Sequence, residues 1–396
     1  MLSELYELLQ TLEDKVDSDI QHKIIACHKR ALNWELTDRL PLVVAYPYPK
    51  SARFVPFAHR EALTNPEKML YNELLHAFDT SIFLHPTVQD DLPYTIRANF
   101  GTVLVASLLG GRVEQRDDSP PWVRHFESEA EFMSIFDARS LFLSHSGLST
   151  DAIFDRMNNL YATRIAGRAV DTCRVYRDIL AGYPNLSKVL HIVLPDLQGP
   201  LDTLELLRGS DVYSDFLLNP ELVGDALSFI ANVQVALARA LTPFVTSNHR
   251  GYSFQHAVMI KGNILIRNDS AIMIDSEMYR DQVAPFDEWV LNAMGGGGVH
   301  SCGRIDFNIP EILNLPSISC FDFGQSYLND LSTVYPLAAE KKVPLLRIRL
   351  SRELLLSPKL YKYFPTGVSL VYEAGSFEEA CYISKTYSNL YGSNHN

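Results

Sequence analysis

The runs Gly298-Val-His-Ser-Cys302, Ile318-Ser-Cys-Phe-Asp-Phe323 and Leu345-Leu-Arg-Ile-Arg-Leu350 follow one another toward the C-terminus and are short and largely apolar. Runs of this kind are typical of parallel strands that are buried on both faces. Five further runs share this character, and helical segments separate most of them: Leu42–Tyr46, Ser81–His85, Val189–Leu194, Gly262–Arg267 and Gly367–Tyr372. Eight strands that alternate with helices predict an α/β protein with a closed (β/α)8 barrel, the TIM barrel, rather than an open sheet.

Two parts of the chain lie outside this rhythm. Residues 1–38 carry leucines and isoleucines at helical spacing, so we expect an N-terminal helical extension that covers the barrel floor or mediates a homodimer. The barrel is then expected over residues 39–396. Residues 86–188 follow the second run and predict a long helical insertion above the C-terminal ends of the strands, where insertions form lids or substrate-specific walls.

Composition excludes several classes of protein. The formal net charge is −12, from 35 basic and 47 acidic residues, and such a surface repels the phosphate backbone of nucleic acids. The five cysteines are scattered and odd in number, which indicates a reducing compartment and a cytoplasmic location. The N-terminal residues lack the basic start and unbroken apolar core of a signal peptide, and no membrane span is expected.

The strongest local signal for chemistry is the segment that begins with four glycines at Gly295 and continues Val-His300-Ser-Cys302-Gly-Arg304. Side chains two residues apart on a strand point to the same face, so His300 and Cys302 are expected side by side at the C-terminal rim. An imidazole and a thiolate in that arrangement form half of a zinc site. The alternative is a buried cysteine beside a hydrogen-bonded histidine.

Further ligands or catalytic groups are expected where the neighbouring strands end. Asp269 follows the fourth strand, and Glu373 ends the last one. Cys320 and Asp322 alternate on the strand next to His300. For Cys320 a small core residue is the favoured interpretation, and Asp322 is either catalytic or a hydrogen-bonding partner in a cap or loop.

Five other residues are candidates for substrate contacts. Arg97 and Asn99 precede a helix and could bind an anionic or polar group, or pair with the acidic surface. His256 could act as an acid or base, or lie on the surface. Tyr279 is expected to be catalytic, through a hydrogen bond that it donates to substrate, or else to pack in the core. Arg304 could bind a carboxylate or phosphate or pair with Asp306.

Several stretches together resemble the uroporphyrinogen decarboxylase superfamily, which includes zinc-dependent, corrinoid-linked methyltransferases. The similar stretches begin at Asp38-Arg-Leu-Pro41, and the resemblance extends from there to the C-terminus. The others are Leu194-Pro-Asp-Leu-Gln-Gly-Pro200, Asn268-Asp-Ser-Ala-Ile-Met-Ile-Asp-Ser-Glu-Met-Tyr279, Ala284-Pro-Phe286 and Val299-His-Ser-Cys-Gly303. The resemblance implies the barrel and an active site at its C-terminal face.

The two branches of that superfamily differ in how well this chain matches them. The methyltransferase branch carries a histidine–cysteine pair on strand five, which His300 and Cys302 match, and a cysteine at the end of strand eight. Here Glu373 occupies that position, so the resemblance implies Glu373 as the third ligand. Its carboxylate is a harder ligand than a thiolate and would bind zinc more weakly than a second cysteine. The decarboxylase branch has an arginine-rich segment after strand one, of which only Lys50 and Arg53 remain.

The sequence therefore leads to three hypotheses. The first is a zinc-dependent enzyme that moves a methyl group between a corrinoid protein and a thiol or similar acceptor, with the metal held by His300, Cys302 and Glu373. The corrinoid must come from a partner, since no Asp-x-His-x-x-Gly signature occurs in the chain. The second is a metal-independent decarboxylase or lyase that binds a polyacidic molecule through Arg97, Arg267 and Arg304. The third is a descendant that binds a small molecule without turnover.

Overall fold

The computed structural model describes residues 2–47, 54–77, 88–115, 118–138, 165–246, 251–255 and 258–391. Their strands are β1 Leu42–Ala45, β2 Thr95–Arg97, β3 Arg112–Glu114, β4 Trp122–Arg124, β5 His191–Val193, β6 Tyr252–Gln255, β7 Val258–Lys261, β8 Ile264–Arg267, β9 Gly297–Ser301, β10 Ile318–Phe323, β11 Leu345–Arg349 and β12 Val368–Glu373. The α-helices of six or more residues are Ser3–Glu13, Ser18–Leu32, Pro66–Ala77, Ile165–Leu180, Pro200–Arg208, Asp211–Leu218, Pro220–Leu241, Ala284–Ala293, Leu331–Lys341 and Phe377–Tyr391. Shorter helical turns are His59–Ala62, Leu104–Leu108, Glu129–Met133, Ser134–Ala138, Leu186–Val189, Thr242–Phe244, Asp269–Met273, Ser276–Met278, Tyr279–Val283, Ile309–Ile312, Ser326–Leu328, Arg352–Leu355 and Leu360–Tyr363.

The centre of the fold is a six-stranded sheet in the order β1-β12-β11-β10-β9-β8, and all of its pairings are parallel. Parallel neighbours need crossover connections, and helices supply several of these, so the α/β class predicted from the sequence is confirmed. The register places Asp322 of β10 and Arg267 of β8 on either side of His300 in β9. Three polar side chains therefore lie at the same level near the C-terminal ends of the strands.

The other predicted strands are only partly accounted for. The run Ser81–His85 lies outside the described residues. In the described part of the predicted insertion, β2 pairs in parallel with β5, so that stretch contributes a strand as well as helices. Its three residues are too short to give a periodic signal. Single backbone hydrogen bonds link the chain beyond β5 to β8, including the one that Arg267 donates to Leu197, but a continuous ladder there, and hence barrel closure, is not shown by the described residues.

One face of the six-stranded sheet packs against an antiparallel hairpin made of β6 and β7. We call it the hairpin face. Its apolar cluster combines sheet, hairpin and N-terminal helix: Leu32, Val193, Phe254, Val258, Met259, Ile260, Leu265, Cys320 and Leu346. The expectation that Cys320 is a small core residue is thereby confirmed.

The N-terminal helices pack onto the rest of the fold. The helix Ser3–Glu13 places four buried leucines in the large core on the other side of the sheet: Leu5, Leu8, Leu9 and Leu12. The helix Ser18–Leu32 contacts β7 and β12, so it lies beneath the hairpin. This position fits the predicted cover over the N-terminal ends of the strands.

The helix Pro220–Leu241 is the longest in the described residues. Together with the turn that ends at Phe244 it is long and apolar enough to cross a membrane, but 67% of its most apolar window is buried inside the fold. A core helix of a globular protein passes the same test.

Strand β11 contains a bulge. Its pairing with β12 shifts register between Leu345 and Ile348, and the backbone of Arg347 adopts a left-handed conformation with φ of 56°. Leu346 packs in the cluster on the hairpin face, and the next side chain, Arg347, reaches the residues of that same face. The bulge thus breaks the alternation of an ordinary strand.

Candidate metal centre

Three side chains that can each bind a metal ion converge beyond the ends of β8 and β9. They are Asp269, His300 and Cys302, and their ligand atoms all lie within 4.8 Å of one another. The Sγ of Cys302 is 3.4 Å from Nε2 of His300, and Oδ1 of Asp269 is 3.6 Å from the same nitrogen. The predicted neighbourhood of His300 and Cys302 is therefore found, with Asp269 as the third member.

Local structure explains why these three meet. His300 lies in β9, and Cys302 follows two residues later on the same face. Asp269 begins the turn directly after β8, and its Oδ1 accepts a hydrogen bond of 2.7 Å from the backbone N–H of Cys302. A Cβ on Gly324, which follows β10, would lie 2.5 Å from the Sγ of Cys302, so only glycine leaves room for the thiol there.

The donor set fits a single zinc ion. Zinc binds nitrogen at about 2.0–2.1 Å and sulfur at about 2.3 Å in a tetrahedron, which places two ligand atoms about 3.4–3.6 Å apart. The separations of 3.4 Å and 3.6 Å around Nε2 of His300 match that range. Three protein ligands leave one position open, as catalytic zinc sites do.

His300 is oriented by a carboxylate and a guanidinium. Nδ1 of His300 lies 2.9 Å from Oδ2 of Asp322, which is fully buried. Arg347 grips the same carboxylate with two hydrogen bonds, from Nε to Oδ1 at 2.6 Å and from an Nη to Oδ2 at 2.5 Å. Burial alone would raise the pKa of Asp322, but Arg347 and His300 hold that pKa well below its usual value. The carboxylate is therefore ionised and can only accept hydrogen bonds.

The electrostatics of Cys302 favour the neutral thiol as long as no cation is bound. Burial, followed by the negative charge of Asp269, raises the pKa of the Cys302 thiol to about 11. Arg267 and Arg347 oppose this shift but do not reverse it. The thiolate of Cys302 is therefore favoured only when a cation binds next to this thiol and the carboxylate of Asp269.

Two buried carboxyl groups support the segment that carries Asp269. Asp202 accepts the backbone N–H groups of Asp269 and Ser270 at 2.9 Å and 2.7 Å. Asp287 accepts hydrogen bonds from Asn268 at 2.6 Å and from the hydroxyl of Tyr279 at 2.8 Å. Burial raises the pKa of both Asp202 and Asp287 to about 7. The turn after β8 is thus fixed from two sides.

A second group of charges lies beside the centre. Asp196 pairs with Arg97 at 2.9 Å and with Arg267 at 3.6 Å. The largely buried Glu73 accepts hydrogen bonds from the backbone of Arg97 and from the side chain of Asn99. A cleft of about 910 Å³ opens beside them, with apolar walls that include Phe57, Leu63 and Met69. Arg97 and Asn99 thus line this cleft, and each is already bound to a carboxylate, Arg97 to Asp196 and Asn99 to Glu73.

Other predicted site residues lie elsewhere. Glu373 forms a close ion pair with Arg349 and is half-exposed, so it is not one of the three clustered ligands. The side chain of Tyr279 is buried, and its hydroxyl donates a hydrogen bond to Asp287, so it is not one of the three clustered ligands. Arg304 is 74% exposed and pairs with Asp306, which was the alternative interpretation.

His256, Lys50 and Arg53 lie outside the described residues. The buried carboxylate of Asp91 forms an ion pair with Arg39 and accepts a hydrogen bond from the backbone of Leu42. That pair stabilises the start of β1.

The sequence analysis missed Arg347, Asp196 and Gly324. The sequence pattern did not indicate Arg347 as a site residue, because in a regular strand its side chain would lie on the opposite face from that of Leu346. Only the bulge in β11 brings Arg347 to Asp322. Asp196 follows β5, but its pairing with Arg97 depends on how β5 and β2 align, which the sequence does not reveal. Gly324 directly follows β10, and that position could have marked a close approach.

Comparison with known proteins adds no family. A scan against protein-family models finds no match to this chain, and a search of the curated proteins finds none either.

Proposed function

We propose that this chain is a zinc-dependent enzyme whose six-stranded sheet closes with β2 and β5 into a (β/α)8 barrel, and whose centre is Asp269, His300 and Cys302. The observation that carries the proposal is the convergence of one oxygen, one nitrogen and one sulfur ligand within 4.8 Å beyond the strand ends. When bound, zinc would act as a Lewis acid that lowers the pKa of a thiol or water in the open position.

The side chains have separate tasks in this proposal. His300 and Cys302 hold the metal from one strand, and Asp269 completes the set from the next. Asp322 orients His300 from behind, as carboxylates commonly do for zinc-bound histidines. Arg97 and Asn99 hold a polar part of the substrate at the cleft that they line, and the apolar walls of that cleft exclude water from the rest.

The reaction we propose is methyl transfer from a corrinoid protein to a thiol. The acceptor thiol loses its proton to solvent, its sulfur forms a bond to the methyl carbon, and the bond between carbon and cobalt breaks with its electron pair remaining on the cobalt. The chain itself offers a soft sulfur ligand and a buried, preoriented histidine, which suit activation of a thiol. The resemblance described above supports the choice of methyl donor.

Metal analysis combined with one assay tests the proposal. The purified protein is expected to contain one zinc per chain, and His300→Ala and Cys302→Ser are expected to lose it. Free methylcobalamin and a small thiol are then supplied, and demethylation is followed by the absorbance of the corrinoid. A protein that stays fully active after exhaustive chelation would contradict the metal-dependent mechanism.

A metal-independent lyase is the second candidate, and the pairing of Arg97 and Arg267 on Asp196 favours it. Two neighbouring guanidinium groups, of which that of Arg97 also lines the cleft, can bind the carboxylates of an acidic substrate. Binding of a tricarboxylate that survives chelation and is lost in Arg97→Met would support this function over methyl transfer.

A further inference from the structure

We infer that Arg347 is a positioning residue for the centre: through Asp322 it fixes which nitrogen of His300 carries the proton and leaves Nε2 free to bind. The inference rests on the metal centre proposed above and adds to it a residue that touches neither metal nor substrate. Its basis is the chain of contacts from Arg347 to Asp322 and from Asp322 to His300.

The first step concerns the orientation of the Asp322 carboxylate. The guanidinium of Arg347 binds both of its oxygens, with separations of 2.6 Å and 2.5 Å. Two parallel bonds from a planar fork fix the plane of a carboxylate, which a single bond does not. Oδ2 is thereby held 2.9 Å from Nδ1 of His300.

The second step concerns the proton on the imidazole. An Nη of Arg347 also lies 3.0 Å from Nδ1 of His300, so Nδ1 has one acceptor and one donor as close neighbours. If Nδ1 carried no proton, it would face the carboxylate as a second acceptor in a buried site, which is costly. If Nδ1 carries the proton, it donates to the carboxylate of Asp322, and the only loss is that one of the five N–H groups of Arg347 has no acceptor at Nδ1. That loss is small because the side chain of Arg347 is 28% exposed to water. The protonated Nδ1 is therefore favoured.

The third step concerns why Arg347 can reach this place at all. In a regular strand it would point to the opposite face from Leu346, but the bulge in β11 turns both toward the hairpin face. Its backbone is left-handed, with φ of 56°, which arginine adopts at a cost in free energy. The hydroxyl of Ser369 in β12 accepts the backbone N–H of Arg347 at 3.0 Å and fixes the bulge. Strain that the neighbouring strand holds in place is common at functional sites.

The consequence for the centre is that Nε2 of His300 carries a lone pair directed at Cys302 and Asp269. Its separations from their ligand atoms, 3.4 Å and 3.6 Å, are those expected between His300 and each of two other ligands of one tetrahedral zinc ion. Loss of the fork would let the carboxylate rotate, and His300 would then populate both tautomers and several ring orientations. Loss of such an outer partner lowers metal affinity by about 10- to 100-fold.

The experiment compares Arg347→Met with Arg352→Met. Arg352 lies in the short helix after β11, over the ring of Tyr382, and serves as the matched control. The tautomer of His300 is read from long-range proton–nitrogen correlation spectra of metal-free protein with labelled histidine, and the signal is assigned through His300→Gln. Wild type and Arg352→Met are expected to show the Nδ1-protonated form, and Arg347→Met a mixture of tautomers.

Zinc affinity is measured on the same proteins by competition with a chromogenic chelator. We expect a loss of about 10- to 100-fold in Arg347→Met and none in Arg352→Met. Arg347→Lys keeps a cation beside the buried carboxylate but lacks the fork, so it is expected to fold and to fall between wild type and Arg347→Met. If Arg347→Met does not fold, wild type and Arg347→Lys still decide the question.

The outcomes separate this inference from the proposed function. An Nε2-protonated His300 in wild type overturns the inference, and so do variants of Arg347 that match wild type in both tautomer and zinc affinity. A wild-type protein that binds no zinc overturns the metal centre instead, and the tautomer spectra remain readable in that case.

Discussion

Cys302 and Cys320 lie on neighbouring strands and on the same face of the sheet, but their surroundings differ. Cys320 belongs to the apolar cluster on the hairpin face, beside Leu265 and Leu346. Cys302 lies further along, against His300 and Asp269. Each thiol fits against a glycine: a Cβ on Gly298 would lie 2.5 Å from the sulfur of Cys320, and a Cβ on Gly324 would lie 2.5 Å from that of Cys302.

The difference teaches how one set of strands serves two purposes. At the level of Cys320 the inward side chains fill space, and the hairpin covers them. Two residues further along, the side chains that share that face are Arg267, His300 and Asp322; His300 binds Asp322, and Arg267 pairs with Asp196. The same alternation thus produces a packed level and a reactive level above it, as is usual where strands end at a site.

Removal of each thiol is the sharpest test of this comparison and has the largest expected effect. Cys302→Ala is expected to lose the bound zinc and to keep its free energy of unfolding within about 1 kcal/mol. Cys320→Ala is expected to keep one zinc per chain and to lose about 1 kcal/mol of stability, because it leaves a small cavity in an apolar cluster. Metal analysis and urea unfolding give both numbers, and equal zinc content in the two variants would contradict the distinction.

The reactivity of the thiols provides the second test. Because the pKa of Cys302 is raised to about 11, nearly all of it is neutral at pH 8, and in metal-free protein its alkylation is expected roughly 100-fold slower than that of an ordinary exposed thiol. The rate should rise about tenfold per pH unit until the pH approaches that pKa, since only the thiolate reacts.

A Cys381→Ser background removes the other partly exposed thiol from this measurement. Cys320, whose pKa burial raises to about 12, is expected to react only on unfolding. Rapid alkylation of Cys302 in metal-free protein at neutral pH would show that its environment is not the one described.

The glycines that accommodate the two sulfurs give a third test of smaller size. The φ of Gly324 is not left-handed, so Gly324→Ala acts only through its new methyl group, which displaces the sulfur of Cys302. We expect zinc affinity to fall by about 10-fold, as for other changes that misplace a ligand.

Gly298→Ala is the matched variant on the packed level. It crowds Cys320 and Leu265, so we expect a loss of about 1–3 kcal/mol in the free energy of unfolding and a smaller change in zinc affinity. Affinity that falls more in Gly298→Ala than in Gly324→Ala would mean that the two levels are not separate.

The smallest expected effect comes from Tyr279, which is buried and is not one of the three clustered ligands. Tyr279→Phe removes one buried hydrogen bond to Asp287, so stability should fall by about 1 kcal/mol. Zinc content and methyl transfer should stay within twofold of wild type. A large loss of turnover with intact metal would instead support the catalytic role that the sequence first suggested.

What the sequence could predict depended on local periodicity. The alternation in the run from Gly298 to Cys302 was enough to place His300 and Cys302 together, and the burial of Cys320 followed from its apolar neighbours. The class of the fold followed from the same runs, because seven of the eight lie where strands are found in the described residues. These are properties of single strands, which spacing along the chain determines.

What the sequence could not predict depended on relations between strands. The sequence offered both Asp269 and Glu373 as further ligands but could not choose between them; Asp269 joins the cluster because the register sets Arg267 opposite His300 and brings the residues that follow β8 beside Cys302. Glu373 ends β12, which β10 and β11 separate from β9, and there it pairs with Arg349. Arg347 required the bulge, and no pattern of residue types announces a change in pairing between two strands.

Insertions and deletions in β11 meet a constraint that substitutions do not. With one residue fewer between Leu345 and Ile348, the ladder to β12 could pair without a shift, and the strand would be more regular than it is now. The guanidinium would then leave the carboxylate of Asp322 buried without its partner. Chains descended from the same ancestor should therefore vary in the residues of this segment more readily than in its length.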